Sequence, residues 1–304
     1  MVGEALIDRV IHTDGRIVET PGGSPANVAI ALGRLGRHPS LLTSLGRDSE
    51  GATVATWLEQ SGVTVAVIPE ASPTTSTATA TLAADGSARY QFDLEWTMGN
   101  DHEIDAEVIH IGSISALIQP GADAVLRLAQ SARTQSTITY DPNIRPALIT
   151  DIEFARQRIE ELVSLADIVK ASDEDLNWLY PTRSLDDISA AWLNLGPSIV
   201  VVTLGARGAF AITQAGRVDC DSETVHVVDT VGAGDTFMGT LIDGLIEANL
   251  CGPRNKSELT NVRLELLKLL LRRSALAAAI TVSRPGADPP RRNELEPGLP
   301  ETGI

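Results

Sequence analysis

The sequence predicts an α/β fold, in which helices cover both faces of a mostly parallel central sheet as a three-layer αβα sandwich, and a small β-sheet stands off to one side. Three observations favour this fold. From Val108 onward, short apolar runs alternate with helical patterns, which is typical of parallel strands joined by helices. In the first third of the chain, two alternating stretches each contain an Asp-Gly pair, the signal of a hairpin turn. Late in the chain, a glycine-rich turn precedes a helix, as at many anion sites.

Composition limits the classes of function. The chain has 304 residues, of which 43% are hydrophobic, and it lacks a run of about 18 consecutive apolar residues, so we expect a soluble, cytoplasmic protein with a buried core. The net charge of −16 argues against nucleic acid or an anionic membrane as a partner. Cys220 and Cys251 are too few for a disulfide framework and lack metal-ligand spacing, which indicates structural thiols.

A first buried strand and a first helix are predicted near the amino terminus. The apolar run Met1–Ile7 predicts a strand that ends at Asp8, which would put this carboxylate at the edge of a parallel sheet where ligands usually bind. The segment Pro21–Asn27 opens a helix that runs to about Leu35. Its two glycines allow a ligand to approach the backbone, and Asn27 offers both a donor and an acceptor to a polyol. A helix start without a ligand is the alternative.

The small sheet is predicted from three alternating stretches. Arg9–Glu19 is hinged at Asp14-Gly15, whereas Thr75–Ala83 and Ser87–Leu94 are hinged at Asp85-Gly86. Three aromatic residues alternate near the end of this region and either pack within the sheet or face a ligand, namely Tyr90, Phe92 and Trp96.

The alternation after Val108 predicts the main sheet and its helices. The predicted elements are strands Val108–Ile111, Thr137–Tyr140, Ile168–Val169 and Ile199–Leu204, with helices near 120–132, 152–164, 233–249 and 257–281. Loops that follow parallel strands carry the ligand site, which makes Asp141–Pro146 a candidate. Its Arg145 is a forked cation able to bind a phosphate or a carboxylate, and a surface ion pair is the alternative. We expect the tail 288–304, rich in Pro, Gly and charge, to be loosely ordered at its end.

The stretch Asp229–Gly239 predicts a phosphate cradle built without lysine. Gly232, Ala233 and Gly234 leave the backbone almost bare, so consecutive N–H groups can point at an anion where the helix dipole also favours negative charge. Asp235 would stand beside that anion, an arrangement that suits a general base taking a proton from a hydroxyl nucleophile. The pattern therefore indicates phosphoryl transfer, and a turn that serves packing alone is the competing interpretation.

The chain resembles the ribokinase-like (phosphofructokinase B-type) carbohydrate kinases. The resemblance rests on Asp229–Phe237, which reads DTVGAGDTF, and on Gly22–Ala29, which reads GGSPANVA, and it extends over nearly all 304 residues. Within the family the chain is most similar to bacterial fructokinases. The resemblance implies one ribokinase-like kinase domain over 1–304, with the strands of the small sheet, from about 9–20 and 73–97, inserted in it as a lid. It also suggests that the true start lies upstream of Met1.

The resemblance implies an ATP-dependent sugar kinase that transfers the γ-phosphate to a primary hydroxyl, with fructose giving fructose 6-phosphate. Asp235 would be the base, aided by Gly232, Ala233, Gly234 and Arg145. The lid would exclude water, the competing acceptor. The implied sugar-binding residues are Asp8, Gly22, Gly23 and Asn27, with Tyr90 and Phe92 as candidates from the lid.

The resemblance also implies where ATP and two cations bind. Thr203, Gly205 and Gly208 would contact the nucleotide, and the segment containing Ser283 and Gly286 would line the adenine pocket. That segment would also close a loop for a monovalent cation, with potassium as the candidate ion and with Asp229 and Val231 on the loop's other side. Where the family has an Asn-x-x-Glu segment that supports magnesium through water, this chain has Ser172 and Asp175, with Glu174 as a substitute.

Several alternatives stay open. A 2-keto-3-deoxygluconate kinase shares the Arg145 turn, but only Arg89 and Tyr90 near the lid could serve a carboxylate. A nucleoside kinase of this fold is another alternative, although the chain shows no additional aromatic pair placed to sandwich a base. A catalytically silent relative that acts as a binding or regulatory protein is the alternative from another class. The chain lacks a Walker motif and a third glycine at Rossmann spacing, which disfavours P-loop kinases and dinucleotide oxidoreductases. In the family that the chain resembles, exposed lid edges often pair, which implies a homodimer through the lid.

Overall fold

The computed structural model describes residues 1–68, 72–83, 88–99 and 104–295. Its strands are β1 (Leu6–Ile11), β2 (Ile17–Gly22), β3 (Ser40–Thr43), β4 (Thr64–Val67), β5 (Thr77–Leu82), β6 (Ala88–Asp93), β7 (Val108–Gly112), β8 (Thr137–Asp141), β9 (Ile168–Ser172), β10 (Ile199–Thr203), β11 (Ala209–Thr213) and β12 (Gly216–Cys220). Its α-helices are α1 (Ser24–Arg34), α2 (Ser49–Gln60), α3 (Gly121–Ala132), α4 (Ile152–Leu165), α5 (Asp173–Leu179), α6 (Leu185–Leu195), α7 (Ala233–Glu247), α8 (Lys256–Thr260), α9 (Leu264–Val282) and α10 (Arg292–Leu295).

The central sheet has six strands in the order β12-β11-β10-β9-β8-β7. Strands β7 to β10 pair in parallel, and β11 and β12 continue the sheet in antiparallel fashion. The parallel strands are almost continuously buried because helices cover both of their faces. The predicted mostly parallel sheet is therefore confirmed.

Two hydrophobic cores lie on opposite faces of this sheet. Successive residues of β10 divide between them, since Val200 and Val202 pack toward α3 to α6, whereas Ile199 and Val201 pack toward α1, α7 and α9. Side chains of a strand alternate between faces, so one apolar strand serves both cores. The result is the predicted three-layer arrangement of helices, sheet and helices.

The small sheet has the order β2-β1-β5-β6, and β1 lies further along the chain than the predicted first strand. The predicted first strand ended at Asp8, but β1 starts at Leu6 and continues to Ile11, so Asp8 lies inside a strand of the small sheet and not at the edge of the central one. The residues before Leu6 make only an isolated bridge from Val2 to Leu42. The prediction was wrong because one apolar run serves both as a core segment and as the entry to the small sheet.

Other boundaries also differ from the expectation. The predicted helix near 257–281 is two helices, α8 and α9, separated at residues 261–263.

Trp96 lies in the main core and not in the small sheet. Its indole packs so closely on Gly121 that a Cβ at Gly121 would overlap the ring. The first part of the tail contains α10, which buries Leu295 against Leu35 and Ala277, and the predicted loose order at the end of the tail stays a prediction. The Asp85-Gly86 turn and residues 296–304 lie outside the described residues.

The expectation of a single domain with an inserted lid stays a prediction.

In the described part of the chain, no helix has the length and apolar character needed to cross a bilayer. Both cysteines are buried and free, as predicted.

Candidate active site

The glycine turn before α7 has the geometry of an anion cradle. Gly232 is the N-cap residue with φ of 75°, a left-handed conformation that suits glycine, and no side chain among the described residues caps the helix. A Cβ at Gly232 would lie 2.5 Å from the Cβ of Ala287, so the turn has no room for a larger residue. The N–H groups of Gly234 and Asp235 have no acceptor within the helix and remain available to an anion, whereas the Ala233 N–H makes a long hydrogen bond of 3.4 Å to the carbonyl of Thr230.

Asp235 is the third residue of α7 and is 5% exposed. Three side chains donate hydrogen bonds to its carboxylate. Ser24 Oγ lies 2.6 Å from Oδ1, Asn143 Nδ2 lies 3.2 Å from the same oxygen, and Asn27 Nδ2 lies 2.7 Å from Oδ2. The carboxylate is thus held in one orientation beside the anion cradle.

Close packing of α1 against α7 brings Asn27 and Ser24 to Asp235. A Cβ at Gly239 of α7 would lie 2.7 Å from the Cβ of Ala31 of α1, so the two helices touch through their backbones. At the start of α1, Gly23 has φ of 105°, and a Cβ there would lie 2.5 Å from the carbonyl oxygen of Glu4. The glycines of the predicted Gly22-Gly23 motif therefore serve the turn geometry, in keeping with the predicted helix start.

The loop after β8 completes the surroundings of Asp235. Asn143 has φ of 37°, which asparagine tolerates better than most residues, and it is fixed by Arg145, whose Nη1 donates to Asn143 Oδ1 at 2.6 Å. Arg145 also donates to the carbonyls of Asn143 and Ile144. The side-chain oxygen Oδ1 of Asn27 is buried and has no partner among the described residues. Such an acceptor is suited to a hydroxyl donated by a ligand.

Asp8 approaches this group from the small sheet. A Cβ at Gly22 would overlap the Asp8 carboxylate, so a larger residue there would displace this carboxylate from its position. Burial raises the pKa of Asp8 to about 6, the Arg145 guanidinium acts in the opposite direction, and the Asp235 carboxylate adds to the rise. The structure therefore places four residues close together that are widely separated in sequence, namely Asp8, Asn27, Arg145 and Asp235. The charges of Arg145 and Asp235 act on the pKa of Asp8.

Both lid aromatics, Phe92 and Tyr90, lie on the sheet face that carries Asp8. Asp8 pairs with Ala78, and Ala78 pairs with Phe92, so the three side chains lie on the same face. Tyr90 lies on that face one pair further out, is 60% exposed and stacks on Phe92 with ring centroids 6.2 Å apart. The role of both aromatics in sugar binding stays a prediction.

A buried ion pair under the cradle was missed by the sequence analysis. Lys170 Nζ lies 2.7 Å from Oδ2 of Asp141, both side chains are buried, and a Cβ at Gly234 would lie 2.9 Å from the same Nζ. Burial raises the pKa of Asp141 to about 6, although Lys170 acts in the opposite direction. Burial acts to lower the pKa of Lys170, but Asp141, with Asp235 and Asp175, raises it above its ordinary value. A fixed positive charge therefore lies beneath the cradle of this acidic protein.

The predicted nucleotide-side residues fall in two loops near the cradle. Thr203 ends β10, and Gly205 and Gly208 both have positive φ in the turn that follows. The second loop is closed by Asp229, whose Oδ2 accepts the Gly286 N–H at 2.9 Å and whose Oδ1 accepts the Val231 N–H at 3.0 Å. Ser283 ends α9 and donates to the carbonyl of Ile280. Nucleotide and potassium roles for these residues stay predictions.

The two predicted magnesium residues, Asp175 and Glu174, differ in burial and in hydrogen bonding. Asp175 accepts from Ser172 N and Oγ with one oxygen and from Ile144 N with the other, so its carboxylate serves a helix capping box and the Asn143 loop. Glu174 is exposed. Across the described ranges, no group of three or more His, Cys, Asp or Glu side chains could hold a metal ion. The magnesium role of Asp175 or Glu174 stays a prediction.

Comparisons with known proteins identify the family of the chain. The sequence model described as pfkB family carbohydrate kinase matches residues 1–293. A fructokinase from Rhizobium leguminosarum bv. trifolii is 37% identical over 270 residues, covering 84% of this chain and 82% of its own. The crystal structure of a fructokinase with bound ATP from Xylella fastidiosa matches with a TM-score of 0.84 at 25% identity, covering 97% of this chain and 96% of its own. An uncharacterised sugar kinase from Pyrococcus horikoshii in complex with ATP matches with a TM-score of 0.78 at 28% identity, covering 96% and 95%.

Proposed function

The chain belongs to the pfkB family of carbohydrate kinases, and from this premise we propose that it transfers the γ-phosphate of ATP to the 6-hydroxyl of fructose. The observation that carries the proposal is Asp235, a buried carboxylate in the first turn of α7 that lies next to the N–H groups of the anion cradle. A base and an anion site within one helical turn is the arrangement that phosphoryl transfer to a hydroxyl requires. The fructokinase from Rhizobium leguminosarum bv. trifolii, at 37% identity, supports fructose as the sugar.

The sugar is held by groups that surround Asp235. Asp8 accepts hydrogen bonds from sugar hydroxyls, and the unpaired Oδ1 of Asn27 accepts another. Phe92, which shares the lid face of Asp8, covers the apolar side of the sugar. The sugar's 6-hydroxyl is thereby oriented toward Asp235.

In the chemical step, the hydroxyl proton passes to Asp235 and the hydroxyl oxygen forms a bond to the γ-phosphorus. The bond from that phosphorus to the bridging oxygen breaks, and its electron pair stays on ADP. The N–H groups of Gly234 and Asp235, with the weakly bonded N–H of Ala233, stabilise the negative charge on the transferring group. Arg145 and Lys170 add positive potential. Loss of one such donor in a preorganised site typically costs about 3 kcal/mol, or roughly a hundredfold in rate.

We propose that magnesium and potassium ions bind together with ATP. Mg²⁺ keeps several waters and binds mainly through substrate phosphates, so it needs few protein ligands and fits a chain without a preformed carboxylate cluster in its described residues. Glu174, which is exposed, and Asp175 lie in the first turn of α5, which would contact its waters. Oxygen atoms of the loop closed by Asp229 and Gly286 are suited to K⁺.

We further propose a cytoplasmic homodimer that associates through the lid. Strands β2 and β6 are the edges of the small sheet, and they carry the exposed apolar residues Ile17 and Tyr90. Unpaired edges and exposed apolar side chains favour association with a second copy. Size-exclusion chromatography with light scattering of Ile17→Lys and Tyr90→Lys variants tests this assembly, which fails if wild type is a monomer.

Product identification tests the proposed reaction. Fructose labelled with ¹³C at carbon 6 is incubated with ATP, Mg²⁺ and the protein, and the product is analysed by NMR. We expect the carbon-6 signal to split through coupling to ³¹P. Phosphate on another carbon would contradict the assignment of the hydroxyl, and inorganic phosphate without a sugar phosphate would contradict the kinase reaction.

Sugar affinity should fall as the pH decreases through about 6, because Asp8 has a pKa raised to about 6 by burial. The ionised carboxylate accepts hydrogen bonds from hydroxyls, and protonation removes part of that capacity. With saturating ATP, we expect the KM for fructose to be about tenfold higher at pH 5 than at pH 7.5. Asp8→Asn should have a high KM that no longer changes with pH, whereas Asp14→Asn, at the exposed hairpin tip, should behave as wild type. A KM that is constant over this range in wild type would rule out the assigned role.

A further inference from the structure

Ser24 contacts the catalytic carboxylate although it has no assigned role. Its hydroxyl donates a hydrogen bond of 2.6 Å to Oδ1 of Asp235, and both side chains are buried. Serine at a helix start often bonds to nearby backbone, but within the described residues the only partner of this hydroxyl is Asp235, 211 positions away. The hydroxyl therefore serves α7 and not its own helix.

The backbone around Ser24 leaves its hydroxyl little freedom. Gly23, immediately before it, has φ of 105° in a turn with no room for a Cβ, and Pro25, immediately after it, has its own φ fixed by the ring. The contact of Gly239 with Ala31 fixes α1 against α7 further along. Ser24 is thus a rigidly held donor, as a positioning group requires.

We infer that Ser24 is a positioning residue that selects which oxygen of Asp235 accepts the proton of the sugar. The inference rests on the proposed kinase reaction. Each carboxylate oxygen can accept about two hydrogen bonds. Oδ1 accepts from Ser24 and Asn143, whereas Oδ2 accepts only from Asn27 among the described residues. The free lone pair therefore lies on Oδ2, and this oxygen is the base.

Without the Ser24 hydroxyl, Oδ1 regains a free lone pair and the carboxylate can rotate. Productive alignment of Oδ2 with the sugar hydroxyl then becomes one of several orientations. Ser24 does not contact the substrate in this account, so the loss affects the chemical step and leaves the affinities for sugar and ATP unchanged.

Steady-state kinetics of Ser24→Ala test this role. We expect kcat to fall by about tenfold to a hundredfold, the usual effect of losing a hydrogen bond to a charged group, with the KM values for fructose and ATP within about twofold of wild type. Ser24→Thr, which keeps the hydroxyl, should retain most of kcat, and Ser24→Val, which has the same shape without it, should not. Ser274→Ala removes an equally buried helical hydroxyl, bonded to the Leu270 carbonyl, and should leave kcat unchanged.

A double variant separates action through Asp235 from any independent effect. If Ser24 acts only through the carboxylate, Ser24→Ala should cause no further loss of kcat in an Asp235→Asn background. An unchanged kcat in Ser24→Ala, a change confined to KM, or losses that add in the double variant would each overturn the inference while the kinase reaction stands. A wild type without sugar-dependent turnover would overturn the proposed function and the inference with it.

Discussion

Replacing Asp235 with asparagine is expected to lower kcat for fructose phosphorylation by about a thousandfold, the usual scale for loss of a general base. The fold should be unaffected, because an asparagine side chain has the same shape and its oxygen can still accept from Ser24 and Asn143. Its amide then faces Asn27, whose own amide can turn so that its unpaired oxygen accepts. Both KM values should stay close to those of wild type. Stopped-time assays of ADP and sugar phosphate, with the melting temperature as a check on folding, measure the effect.

Asp123→Asn is the matched control for this prediction. Asp123 occupies the third position of α3 as Asp235 does in α7, so its replacement removes the same charge from the same place in a helix. It is half-exposed and pairs with Arg158 away from the cradle. The control should keep wild-type kcat, and a turnover near wild type in Asp235→Asn would remove this residue from the role of base.

Replacing Lys170 with methionine is expected to reduce the free energy of unfolding by about 3–5 kcal/mol, because it leaves the carboxylate of Asp141 buried without its partner. Asp141 is completely buried, and its Oδ1 already has no partner among the described residues. Urea denaturation followed by circular dichroism measures the loss. Lys170→Met combined with Asp141→Leu should recover most of this stability, since neither charge is then buried alone.

The stability lost in Lys170→Met should depend on pH in a defined direction. Burial raises the pKa of Asp141 to about 6 even with Lys170 present, and removal of the ammonium raises it further. A group with a raised pKa stabilises the folded state below the pKa of its unfolded form, and that contribution is lost as the pH rises through the folded value. The destabilisation should therefore be smaller at pH 5 than at pH 8.

Lys256→Met is the control for the buried pair. Lys256 lies 2.7 Å from Asp167, a similar distance, but the two side chains are 31% and 17% exposed. Water screens such a pair, and its loss should cost about 1 kcal/mol or less. Equal losses in the two variants would show that burial of the Lys170 pair has no special effect.

The sequence predicted the chemistry of the α7 turn but not the groups that hold it. Glycines before a helix and one carboxylate in its first turn are local features, and the structure has them as expected. The donors to Asp235 lie on α1 and on the loop after β8, and their approach depends on the contact between Gly239 and Ala31, which has no local signature. The positions of these donors are therefore set by long-range packing, which local sequence patterns do not reveal.

The ion pair of Lys170 and Asp141 had a weak signal in the sequence. The two residues lie on adjacent parallel strands, with Asp141 at the end of β8 and Lys170 in the middle of β9. Tyr140 pairs with Val169, so the next residues along, Asp141 and Lys170, are neighbours. The strands themselves were predicted, but their register was not, because two apolar strands can pair equally well after a shift. The position of Asp8 was missed for a different reason, since an apolar run does not reveal which of two sheets it joins.

Sugar-dependent release of ADP tests the central claim most directly. The protein is assayed with ATP and Mg²⁺ against fructose, glucose, ribose, tagatose, 2-keto-3-deoxygluconate and adenosine in a coupled assay. We predict selective turnover with fructose, which depends on Asp235. Preference for 2-keto-3-deoxygluconate or adenosine would contradict the assigned substrate, and the absence of turnover with every acceptor would contradict the kinase function itself.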